Sequence, residues 1–149
     1  MNIVKRIDQY DNNCIYFCEP IKNNIMNDGK FIRILYSNNI FALNGIYLLI
    51  TLNDVSCDYY YNKYKCTFNT FNHKEIITNL QAIEEEILNK ANIKEKTPQF
   101  VIYEKLKSGN IKLFNDIGIK TTCSFILKIS GIWETHDNYG LTYKFIKVN

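Results

Sequence analysis

Six lysines and four aromatic residues carry the chemistry this sequence offers. Lys63 and Lys65 alternate with Tyr59, Tyr61 and Tyr64 in one short stretch, Lys105 and Lys107 form a second group, and Lys128, Lys144 and the single tryptophan, Trp133, lie near the carboxyl end. An ammonium group meets a phosphate as a point charge. An aromatic face accepts a stacked base, each stack contributing about 1–3 kcal/mol. Interleaved along strands, the two types suit single-stranded nucleic acid. Each also has a bland role open to it. Trp133 shares period-two parity with Leu127 and Ile129, so it fits a core position as well as a stacking one. The tyrosine cluster equally fits a sheet face that merely packs.

Bond-making chemistry is not signalled. The chain has no glycine-rich phosphate loop and no serine in a nucleophile elbow. His73 falls at an expected helix start and His136 in an expected turn, so both read as capping or surface residues. Glu84, Glu85 and Glu86 are consecutive, and consecutive helical positions point about 100° apart. They read as a solvated face, not as a metal or acid pair. The five cysteines are odd in number and irregularly spaced, which favours a reducing compartment over a disulfide framework. Cys14 and Cys18 lack the tighter paired spacing of a zinc site. No cofactor and no metal are expected.

Composition sets the frame. The 149 residues suit one domain, 1–149, with 46% apolar and 14% aromatic residues to fill a core. Abundant Asn, Ile and Lys with scarce Ala and Arg fit an AT-rich genome, so only the placement of these residues informs function. The net charge of +3 is uneven: residues 94–149 hold nine Lys against five Asp and Glu. A basic carboxyl-terminal half suits an anionic partner, although a lysine-solvated surface gives the same count. The longest apolar run, residues 46–52, is far short of the roughly 20 residues a membrane helix needs. An intracellular protein with no membrane partner is expected.

The elements that must position these side chains follow from periodicity. Residues 1–28 read as a polar arm with one apolar patch, Cys14 to Cys18, and a break at the Asn- and Gly-rich residues 23–29. Residues 31–36 and 46–52 read as strands, and residues 55–68 as a hairpin turning near Asn62 and Lys63 or as one bent strand. Ile76, Leu80, Ile83, Ile87 and Ala91 lay one apolar stripe on a helix over about residues 73–91, with Asn72 and Glu75 as a capping box. Residues 94–98 read as a basic loop. Residues 100–106 and 111–114 then read as strands around Ser108-Gly109-Asn110. Residues 125–148 close the chain as a hairpin. The expected fold is mostly β (α+β): an OB-like antiparallel β-barrel with the helix between its third and fourth strands. A β-sandwich with one covering helix fits the same order.

The closing hairpin also carries a resemblance. Its Gly131-Ile132-Trp133 and Gly140-Leu141-Thr142 runs resemble the last strands of the OB-fold single-stranded DNA-binding proteins of large DNA viruses, relatives of the small phage proteins. The block over residues 97–114 and the helix before it look similar, so the likeness covers roughly residues 75–148. It implies a non-catalytic viral protein that coats single-stranded DNA, or RNA, in replication or repair. It also implies residence in the host nucleus or a cytoplasmic viral replication site. Many phage relatives end in an acidic tail, whereas the last ten residues here contain no Asp or Glu. The alternative is a viral structural or host-interaction protein whose tyrosine-rich face makes protein contacts, self-association included.

Overall fold

Period-two alternation near the carboxyl end produces the strand around which the molecule is arranged. The computed structural model describes residues 4–22, 29–61, 63–113 and 123–148. Twelve strands lie among them: β1 (Lys5–Arg6), β2 (Ile15–Phe17), β3 (Ile21–Lys22), β4 (Lys30–Ser37), β5 (Ala42–Leu43), β6 (Ile46–Leu52), β7 (Ser56–Tyr60), β8 (Lys63–Thr67), β9 (Thr97–Gln99), β10 (Asn110–Leu113), β11 (Cys123–Glu134) and β12 (Asn138–Lys147). Two α-helices join them, α1 (Lys74–Ala91) and α2 (Val101–Lys107). The expected break at residues 23–28, Asn62 of the expected turn, and Phe114 fall outside the described residues.

β11 is the centre of a nine-stranded sheet. One edge pairs with β12 from Phe125↔Lys147 to Glu134↔Tyr139. The other edge pairs with β6 from Cys123 to Ile129, then with β4 from Gly131 to Glu134. The handover falls at a β-bulge between Ile129 and Gly131. An extra residue there reverses the alternation. Phe125, Leu127 and Ile129 are buried before it, and Ile132 and Glu134 after it. Trp133 therefore leaves the face of Leu127 and Ile129, and the shared parity read from the sequence does not survive the bulge.

The OB-like barrel is overturned. The two sheets are not closed: the large one runs from β1 to β9, and β10, β8 and β7 make a separate three-stranded sheet. The helix follows the eighth strand and does not stand between the third and fourth. Closure is not needed to bury the inner face, because α1, α2 and β10 all pack beside β12. The chain is mostly β, and one core cluster joins Leu48, Ile50, Phe125 and Leu127 of the large sheet to Leu80 and Ile87 of α1 and Ile111 and Leu113 of β10.

Four local expectations are also corrected. Residues 101–107 form α2, not a strand. Ile102 and Leu106, one helical turn apart, are both buried, and the N–H groups of Ile102 and Tyr103 donate to the Glu84 carboxylate at 3.0 and 2.9 Å. Glu84 is accordingly buried, unlike its neighbours Glu85 and Glu86, which do form a solvated face. The Asn72–Glu75 capping box does not form. A 3-10 turn, Phe71–His73, leads into α1, and the Asn72 N–H donates to Asn69 Oδ1. His73 is buried and not on the surface. Its Nε2 accepts from the Asn53 N–H at 3.0 Å, which leaves Nδ1 to donate to the Asn69 carbonyl at 2.7 Å.

Candidate functional site

Lysines from three elements converge on one basin, and a fourth element adds a lysine to the hollow beside it. Antiparallel pairing places Lys65 of β8 directly opposite Lys112 of β10, on the solvent face that alternation also gives to Lys63. Buried Ile111 and Leu113 hold Lys112 outward by the same period of two. Lys105 comes from α2, whose first turn Glu84 holds. Tyr61, Lys63, Lys65, Lys105, Asn110 and Lys112 together line a cavity of about 420 Å³. An adjoining hollow is lined by Lys105 and Lys112 with Tyr143, Lys144 and Phe145 of β12.

The electrostatics are one-sided. Burial, with Lys112 and Lys65 adding to it, pushes the Lys105 ammonium below its usual range. Among the described residues none of Lys65, Lys105, Lys112 and Lys144 takes part in an ion pair. Asp58 of β7, opposite Lys65, is the carboxylate that the strand register brings nearest. Lys105 also donates to Asn110 Oδ1 at 3.1 Å, which fixes its reach across the basin. Such a cluster can set several ammonium groups against one anion at once.

Lys144 carries the basic surface onto the large sheet. It stands opposite Lys128, which stands opposite Tyr47, and Lys128 Nζ lies 5.5 Å from the Tyr47 ring centroid. The same outward face of β12 presents Thr142 and Gly140, and opposite these lie Gly131 and Trp133. β4 adds Arg33 opposite Gly131 and Phe31 opposite Trp133. The two glycines explain how the rings lie. A Cβ on Gly140 would stand 2.8 Å from Trp133 Cζ2, and one on Gly131 would stand 2.6 Å from Phe31 Cζ. Each ring therefore rests against bare backbone, as glycine inside a strand permits. Trp133 and Phe31 are half-buried, with part of each left open to solvent.

The residues singled out from the sequence sort into three groups. Lys63, Lys65, Lys105 and Tyr61 meet at the basin, and Lys144 lines the hollow beside it. Lys128 and Trp133 share the outer face of the large sheet next to it. Three lie elsewhere. Lys107 turns to a groove with Phe71 and Lys74, its Nζ 5.8 Å from the Tyr103 ring centroid. Tyr59 and Tyr64 project to the opposite side of their hairpin from Lys63 and Lys65, with ring centroids 5.2 Å apart. Sequence reasoning missed Lys112, Arg33, Phe31 and Tyr47. A signal existed for Phe31 in the strand glycines, which mark close approach, but none existed for Lys112, whose role depends on register.

Among the described residues no group of three or more His, Cys, Asp or Glu side chains could hold a metal ion, and no helix is long and apolar enough to cross a membrane. No family model, curated protein or solved structure matches the chain.

Proposed function

We propose that this protein binds single-stranded nucleic acid without catalysis, along the basin and the outer face of β11 and β12. The carrying observation is the convergence of Lys63, Lys65, Lys105 and Lys112 on the basin, continued by Lys144 in the hollow beside it and by Lys128 opposite Lys144. In this reading the lysines neutralise phosphates and Trp133 and Phe31 offer ring faces to bases. A flexible single strand bends more readily than a stiff duplex to reach lysines on both the small sheet and the large one. Viral DNA replication or repair is the setting that the sequence resemblance suggests for it.

The test is an anisotropy titration of a labelled oligonucleotide at several salt concentrations. Five or six neutralised phosphates give a slope of log affinity against log salt of roughly −3.5 to −4 for a single strand. Lys112→Ala should flatten that slope by about 0.7 and weaken binding alike for all sequences. Failure to bind at low salt, or equal binding of duplex, would overturn the reading.

A second reading has its own observation. Tyr59 and Tyr61 are 63% and 79% exposed, and tyrosine is favoured in protein interfaces. Self-association that is insensitive to salt and lost in Tyr59→Ser would favour a protein-contact role for this hairpin.

A further inference from the structure

The β7–β8 hairpin places two cysteines face to face. Cys57 and Cys66 are directly paired across the strands, Cys66 fully buried and Cys57 half-buried against the same core. Tyr60 and Lys63 are the last pair, and only two residues separate them in the sequence. A two-residue hairpin loop is closed by a hydrogen bond from the last residue of one strand to the first of the next. Tyr61, with φ of 46°, has the left-handed backbone such loops require. Tyr60–Lys63 is thus a hydrogen-bonded pair. Strict alternation then makes Tyr59–Tyr64 non-hydrogen-bonded, Asp58–Lys65 hydrogen-bonded and Cys57–Cys66 non-hydrogen-bonded.

That parity matters. Non-hydrogen-bonded pairs bring Cα atoms to about 4.5 Å with side chains close on one face. A disulfide requires Cα atoms about 4.4–6.8 Å apart with Cβ vectors converging. The structure holds both residues as thiols. We propose that Cys57 and Cys66 form a reversible cross-strand disulfide when the protein meets an oxidised low-molecular-weight disulfide.

The chemistry closes. The Cys57 thiolate, on the more accessible side chain, attacks one sulfur of glutathione disulfide and expels one glutathione thiolate. Cys66 then gives up its proton and attacks the Cys57 sulfur of the mixed disulfide, expelling the second glutathione. Two cysteine thiols are oxidised, one glutathione disulfide is reduced to two glutathiones, and no other reactant is needed. The new bond fastens β7 to β8 on the face behind Lys63 and Lys65, so the binding hairpin is where oxidation acts. The inference does not depend on what binds there.

The experiment incubates the full chain, folded as judged by circular dichroism, with glutathione disulfide, caps remaining thiols with iodoacetamide and maps the peptides. The expected product is lighter than the reduced chain by two hydrogen atoms before capping, yields one linked peptide pair joining Cys57 to Cys66, and reverts with dithiothreitol. Cys57→Ser, at the half-buried position, should fold and lose this product. Bridging of any other pair, separate glutathione adducts on the two residues, or a bridge that persists in Cys57→Ser would overturn the proposal.

Discussion

Glu84 shows how one side chain decides an element. A carboxylate buried between α1 and α2 accepts the first-turn N–H groups of a seven-residue helix, and that helix carries Lys105 to the basin. Burial pushes the Glu84 carboxyl above its ordinary 4.5, against the opposing pull of the two hydrogen bonds. Glu84→Gln keeps the shape but turns an amide N–H₂ toward one of the two donors, so a loss of about 1–3 kcal/mol is expected in chemical denaturation. The raised value also fixes a sign. As pH rises from 4.5 toward that value, the folded state retains a proton that the unfolded chain has released. The stability margin of the native protein over Glu84→Gln should therefore narrow through that window, read from melting curves at successive pH values. A margin that widens would contradict this account. Trp133 supports a second test at the same scale. As the only tryptophan, half-exposed on the outer face, its fluorescence should quench on adding single-stranded DNA, and Trp133→Ala should bind more weakly with little loss of fold. Lys112→Gln should do two opposed things: weaken binding and raise the melting temperature slightly, since Lys112 and Lys65 both act against the charged form of Lys105.

At the scale of elements, what was legible in the sequence was whatever depends on local period. The helical stripe places Leu80, Ile83 and Ile87 in the core, and the alternation of residues 125–129 marks a strand face. What was not legible depends on partners distant in sequence. Residues 101–107 look strand-like by composition, and only the Glu84 carboxylate, 18 residues upstream of Ile102, shows why they coil. The bulge at Ser130 is equally silent, since nothing local announces that alternation will reverse there. Gly131 tests this region. A Cβ at that position meets the Ile32 carbonyl oxygen and the Phe31 ring, so backbone as well as side chain must shift. Gly131→Ala should cost roughly 1–3 kcal/mol in denaturant unfolding. A neutral result would mean that the β4–β11 contact is looser than its register indicates.

For the molecule as a whole, the expectation of a barrel failed because strand order in the chain does not dictate strand order in the sheet. β11 takes β6 and then β4 on one edge, an arrangement that a count of successive strands cannot foresee. The same failure left the site half legible. Five of the ten residues chosen from the sequence line the basin or the hollow beside it, yet their placement there depends on β8, β10, α2 and β12 coming together. A half-buried ion pair, Lys96 Nζ to Glu134 Oε1 at 3.1 Å, ties the segment before β9 to the end of β11. The position of β11 has a further consequence for how the chain is made. The strand that unites the sheet is synthesised after every strand it joins except β12. Until it emerges from the ribosome, β4 and β6 each present an edge with no permanent partner there, and such edges invite association with other chains. A chain stopped at residue 122 should therefore collect in aggregates. The intact chain should refold slowly, on the millisecond-to-second scale of folds dominated by distant pairings, and should gain more from a chaperone during synthesis than after it.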